Sequence, residues 1–166
     1  MLDTQKIILG LQKDLGEAIK KGSGPFLAAL YNKNGELIAK AANSVVIDSC
    51  SHNHAEMNVL RAAEEKFGTY DLGPFDLHLF VTAEPCIMCL GGILWSGVKH
   101  LHYDVSSEEV ERLTGFDEGY KPNWQQEFLK RGIEVEGPLM TKEGILLLRH
   151  YVEAGYKIYR PTRCKK

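Results

Sequence analysis

Two short patterns, His54-Ala55-Glu56 and Pro85-Cys86-Ile87-Met88-Cys89, constrain this chain more than anything else in it. Each opens a helix-like segment that follows a strand-like one. The first supplies an imidazole and a carboxylate, and the second supplies two thiols at a spacing that lets both reach one metal ion. A fold that uses them together has to bring the starts of two separate helices to one place. Cys86 and Cys89, three apart, share a face of a first helical turn, and Pro85 suits that turn because a missing N–H costs nothing there. A helix N-terminus also favours the thiolate over the thiol. His54 and Glu56 are two apart and diverge on a regular helix. Both approach one point only near a helix end, where the chain enters from outside the regular turn.

His54, Cys86 and Cys89 make three ligands. Catalytic zinc takes three from the protein and keeps a fourth position for water, whereas structural zinc closes all four. Two thiolates and a neutral imidazole leave a Zn²⁺ site formally neutral, so water there is only moderately acidified. It needs a base beside it, and Glu56 is placed for that. Each half of the pattern is weak alone: Cys-x-x-Cys also marks redox pairs and halves of structural zinc sites, and His-x-Glu arises by accident. A structural site needs a fourth ligand. Cys50 and His52 are near enough in sequence to offer one, although polar residues in a loop before a helix need no metal to explain them.

A length of 166 residues with 44% hydrophobic side chains predicts one core and one domain spanning residues 1–166. Four cysteines, two of them committed to the metal, do not make a disulfide framework, which points to a reducing cytosol; Cys164 reads as an ordinary tail cysteine. Asp3, Lys6, Lys13 and Asp14 break up the apolar residues of the amino terminus, so no signal peptide is expected there. No stretch approaches the roughly 18 apolar residues of a membrane span, so no membrane partner is expected. A net charge of −2 and a pI near 6.3 argue against a nucleic-acid partner, whose phosphates call for a basic surface.

Along the chain, Ile7, Ile8, Leu11, Leu15, Ala18 and Ile19 follow a helical period from Thr4 to Lys21, and Gly22 stops it. Residues 26–32 and 36–42 read as a hairpin turning at Asn34-Gly35. A helix is expected over 54–67, ended by Gly68, then a buried strand over 77–82, a helix over 86–95 and a strand over 99–104. Short helices over 107–113 and 123–131 flank a loop, residues 133–136 suggest a strand, and 143–154 a closing helix. Strands alternating with helices after an opening hairpin imply an α/β fold, a mixed, roughly five-stranded sheet in a three-layer α/β/α sandwich.

His-x-Glu with Pro-Cys-x-x-Cys is the established signature of the zinc-dependent base deaminases, and the chain resembles the cytidine deaminase-like superfamily over nearly its whole length. Within it, the chain resembles the small bacterial guanine deaminases. That likeness includes Gly24-Pro25-Phe26 before the first strand, Asn43 at the end of the second, Trp95-Ser96-Gly97 and, most specifically, Gly115-Phe116-Asp117-Glu118-Gly119. Histidine as first ligand points away from the free-cytidine deaminases and leaves the purine, transfer-RNA and cytosine branches open. The resemblance implies a second catalytic acid at Glu118, a base pocket drawing on Phe26, Asn43, Ala55 and Trp95, and Zn²⁺ as cofactor. Phe26 and Trp95 read equally well as core, and Asp117 reads as a turn residue. Tyr120 to Trp124 has no role derivable from sequence.

Guanine presents N–H donors and its target amino group on one edge, so a carboxylate facing that edge would hold and discriminate it. The expected reaction is hydrolysis of guanine to xanthine and ammonia, with a small-molecule purine or aminoheterocycle as substrate. An aminated triazine, cytosine or a transfer-RNA adenosine are the rival substrates, and a zinc-stabilised binding module is the rival outside enzymes. The tail from Tyr156 to Lys166 holds five basic residues and no acidic one, the composition of a solvated terminus. The resemblance also implies a cytoplasmic homodimer in which such a tail closes an active site, with Tyr156, Tyr159 or Arg160 in that part.

Overall fold

The computed structural model describes residues 2–162; Cys164 and the final basic residues lie outside them. Helix α1 (Thr4–Lys20) buries Ile8, Leu11, Leu15 and Ile19 on one stripe, the spacing of an amphipathic helix packed on a sheet. Asp3 caps it by accepting from the Lys6 amide. Strands β1 (Leu27–Asn32) and β2 (Leu37–Ala42) pair antiparallel. Their turn is held by Asn32, whose Oδ1 accepts from the amides of Asn34 and Glu36 at 2.9 and 3.0 Å. Gly35 completes it at φ +84°, open to glycine at little cost. There follow α2 (Val45–Asp48), α3 (Ala55–Phe67), β3 (Leu77–Ala83), α4 (Ile87–Ser96), β4 (His100–Val105), α5 (Ser107–Thr114), α6 (Trp124–Lys130), β5 (Glu134–Glu136) and α7 (Lys142–Glu153).

The sheet runs β2-β1-β3-β4-β5. β1 is antiparallel to both its neighbours, and β3, β4 and β5 are parallel. Alternation along the strands splits the apolar residues into two cores. On one face Leu30, Leu79, Val81 and Leu101 meet Val59 and Ala63 of α3, Ile93 of α4 and Phe128 of α6. On the other, Ala29, Phe80 and Val105 meet Leu11 and Leu15 of α1, Val110 of α5 and Leu148 of α7. This is the expected mixed five-stranded sheet between two helical layers. α2 is an addition: a single turn is too short to carry a periodic signal.

At the amino-terminal end of the parallel strands, His78, His100 and His102 stack on one face of the sheet. The His78 and His100 rings lie 4.1 Å apart and nearly parallel, and His102 stacks on Phe80 at 4.3 Å. His78 Nδ1 is 3.1 Å from His102 Nε2, and Glu136 takes the other side of His102 at 2.7 Å. Burial, then the charges of His100 and His102, pulls His78 down to about 4 from its ordinary 6.5. The unfolded chain therefore binds a proton that the folded chain refuses between those values. This contribution to stability is intact above the ordinary value and is lost as pH falls toward 4. The midpoint of thermal unfolding should fall more steeply over that window in the wild type than in His78→Phe. Parallel curves from calorimetry would remove His78 as the cause.

Candidate active site

His54 and Cys86 are both N-cap residues. His54 has extended backbone (φ −68°, ψ 155°) and its carbonyl takes the first helical bond of α3, from Asn58 at 2.9 Å. Cys86 does the same for α4 (φ −66°, ψ 169°), bonded by the Leu90 amide at 2.9 Å. The sequence-based placement of His54 and Cys86 within their helices is thus corrected: each stands just outside. Pro85 lies a further residue out, not in the first turn, because the chain stays extended through Cys86. The shift resolves the difficulty with His54 and Glu56. An N-cap side chain reaches toward the second and third helical positions, so His54 and Glu56 line one cavity despite being two apart.

The ligand atoms of His54, Cys86 and Cys89 lie within 4.8 Å of one another, the only such group of histidine, cysteine and carboxylate side chains among the described residues. Cys86 Sγ is 3.5 Å from His54 Nδ1. The bond with Cys89 and then that with His54 hold the Cys86 thiol down at about 4, although burial opposes them. The same bond and burial push Cys89 far up. Burial pulls the His54 imidazole down, but the bond to Cys86 together with the charges of Cys86, Glu56 and Glu118 outweighs it and the net shift is upward. One thiolate, one thiol and an imidazole in contact are a donor set that a divalent cation completes by displacing the remaining proton. Cys50 and His52 face each other at 3.4 Å and stand outside the group.

Glu56 is buried beside the three, and burial first, then the Cys86 charge, raises it to about 7. Glu118 enters from the loop after α5. Its amide donates to Glu111 Oε1 at 3.1 Å and its carbonyl accepts from the Ile87 amide at 3.1 Å. It too is buried, and burial followed by the Cys86 charge raises it to about 8, against the pull of Lys121. Asp117 forms a turn by accepting from the Gly119 amide.

The sequence-based pocket residues divide. Phe26 lines the cavity and packs edge-on against Phe116 at 5.3 Å. Asn43 is wholly buried behind the wall. Its Oδ1 accepts from the Val45 amide at 3.2 Å, while Nδ2 and the Tyr159 hydroxyl have no hydrogen-bond partner among the described residues. The two converge on Gly24, where a Cβ would sit 2.8 Å from Asn43 Oδ1 and 2.9 Å from Tyr159 Oη; no side chain fits there. Ala55 packs its methyl into the core under α3. Trp95 is 86% exposed in the last turn of a ten-residue helix, about 9 Å of rise beyond Cys89, and does not line the cavity of its own chain. Lys157, Tyr159, Arg160 and Pro161 line the cavity of their own chain, and Tyr159 packs on Phe116 at 4.8 Å. Val45 and Val46 of α2 form a further wall that nothing in the sequence signalled.

A model of the MafB19-like deaminase family matches residues 2–130. Guanine deaminase of Bacillus subtilis (strain 168) is 33% identical over 104 residues, which cover 63% of this chain and 65% of that protein, just under two thirds of its length. The structure of guanine deaminase from Nitrosomonas europaea superimposes with a TM-score of 0.83 at 38% identity, covering 87% of this chain and 81% of that one. A structure of NE0047 with 2,6-diaminopurine gives 0.85 at 37% identity, over 95% and 85% of the two chains. Among the described residues no helix is long and apolar enough to cross a membrane. A family match over most of the chain and likeness to deaminases over most of the fold meet in one statement: the chain belongs to the MafB19-like deaminase family.

Proposed function

We propose that the chain is a zinc-dependent guanine deaminase, turning guanine and water into xanthine and ammonia. The observation that carries this reading is Glu118: a buried carboxylate on the same cavity as Glu56 and the His54, Cys86, Cys89 group, in a chain similar to two guanine deaminases. Zn²⁺ fits the donor set, with His54, Cys86 and Cys89 as its ligands, and when bound supplies a Lewis acid that acidifies water at neutral pH. Glu56 takes the proton of the attacking water and passes it to the ring nitrogen next to C2. Glu118 accepts from the N–H edge of the base. The proton of the new C2 hydroxyl passes through the Glu56 and Glu118 carboxylates to the amine, which leaves as ammonia as the C2–N bond breaks and the C2=O bond forms. The raised position of both carboxyls near neutrality suits groups that must gain and lose protons. Phe26 packs on the ring, and the free donors of Asn43 and Tyr159 lie close behind.

A folded polyanion as substrate is disfavoured by the net charge of −2. Dimerisation and a cytoplasmic setting belong to the same proposal, with Ile87, Leu94 and Trp95 on the outer face of α4 as apolar surface for a second copy. Purified protein incubated with guanine, adenine, cytosine and an aminated triazine, with ammonia measured, should release it fastest from guanine. Inertness toward guanine with turnover of another ring would overturn the assignment. Glu118→Gln then removes one buried charge-assisted hydrogen bond, about 1.5–3 kcal/mol, or roughly ten- to 150-fold in specificity for guanine. Equal, small effects on guanine and on a ring lacking its donor pattern would make Glu118 a bystander.

A further inference from the structure

Lys121 sits at the meeting point of three segments. Its ammonium lies 3.0 Å from Glu84 Oε1, donates to the Pro85 carbonyl at 2.5 Å and donates to Ser107 Oγ. All three protons of the ammonium are thereby used, and both members of the ion pair are nearly inaccessible, at 9% and 11% side-chain exposure. Glu84 is itself held by the Trp124 indole at 2.8 Å and the Ser107 amide at 3.0 Å. Pro85 immediately precedes Cys86, and Ser107 opens α5. One charge therefore ties the loop carrying Glu118 to the segment carrying two of the three proposed metal ligands. The Glu118 carbonyl bonded to Ile87 supplies the second tie between the same two segments. Gly119 allows this approach, since a Cβ there would lie 2.6 Å from Ile87 Cγ2.

We propose that Lys121 is a positioning residue, which with Glu84 as its anchor fixes the Glu118 loop over the proposed zinc ligands and so sets the distance across which Glu118 reaches the base. The inference rests on the catalytic role proposed for Glu118. Lys121 touches no substrate; it acts through the loop. Positional errors of the order of 1 Å in a reacting group cost about 10²-fold, so the effect belongs in kcat, with zinc content unchanged.

The test is a cycle of Lys121→Met and Lys121→Arg, each alone and combined with Glu118→Gln, with kcat and KM for guanine, zinc content and unfolding midpoint measured on each. Lys121→Met leaves Glu84 buried and unpaired, a change that by itself threatens folding. Lys121→Arg keeps the charge paired, but a planar fork cannot occupy a point between three oxygens. In otherwise wild-type protein kcat should fall about ten- to hundredfold for either variant with zinc retained, and in the Glu118→Gln background neither should cost more than about twofold. Should Lys121→Met not fold, Lys121→Arg decides alone. Equal losses in both backgrounds, or a wild-type kcat for folded, zinc-replete Lys121→Arg, would overturn the inference. A wild-type rate for Glu118→Gln alone overturns the catalytic role of Glu118 instead, and that result is read before any Lys121 variant is made.

Discussion

Glu56→Gln should retain its zinc and lose turnover by about 10²–10⁴-fold or more, the usual cost of removing a general acid/base. Gln keeps the volume of the side chain, so the buried setting at the second position of α3 survives with little strain. What disappears is the proton carrier. A buried amide can neither take a proton from water nor return one to a ring nitrogen, and Glu56 is proposed to do both. The measurement pairs steady-state kinetics on guanine with metal analysis of the same sample. A zinc-replete Glu56→Gln enzyme working at the wild-type rate would leave Glu56 without a catalytic part. Because the substitution neutralises a carboxylate already pushed up to about 7 by burial, it should not lower the unfolding midpoint. A drop in activity caused by unfolding is thereby separable from one caused by lost chemistry.

Cys86→Ser is expected to lose both metal and activity, and the activity at least as completely as Glu56→Gln. A hydroxyl is a far weaker ligand for zinc than a thiolate. At Cys86 the loss is compounded, since this thiol is the one held down at about 4 by its bonds to Cys89 and His54 and so is the ready anion of the group. Serine at an N-cap is otherwise a favourable residue, and α4 should start where it does now. Zinc per chain, read by atomic emission on the purified variant, should fall well below the wild-type ratio, with turnover falling alongside. A metal-free preparation of the wild type with full activity would end the zinc reading altogether.

Most of the fold was legible because its elements carry strong local signals. The stripe Ile8, Leu11, Leu15, Ile19 and the turn at Asn32–Gly35 are short-range facts, and the parallel strands follow from alternation with helices. The site was legible in its donors, since three ligands of two types and a carboxylate at two helix starts leave few other uses. Helix boundaries slipped where they mattered most: His54 and Cys86 were placed inside helices that they cap, because periodicity does not distinguish an N-cap from a first residue. Trp95 stands away from its own chain's cavity for another reason. Likeness of motif gives a position along the chain, whereas the nine residues of α4 from Ile87 to Trp95 carry that side chain to the far end of a straight rod. Lys121 had no local signal. Its partners Pro85 and Ser107 are 36 and 14 positions away, and only the closed fold makes them neighbours.

Two carboxyls, Glu56 and Glu118, are buried in the lining of one cavity with both held above their ordinary range. Such groups weaken the fold that contains them, since each prefers water to its present surroundings. The molecule therefore carries reactivity as a thermodynamic handicap, offset by the two apolar cores on either face of its sheet. Selection for ruggedness alone would replace both acids with amides or hydrophobic side chains and would gain robustness as it extinguished the chemistry. Heat-resistant variants of this chain should therefore be sought among residues remote from the cavity, where stabilisation and catalysis do not compete.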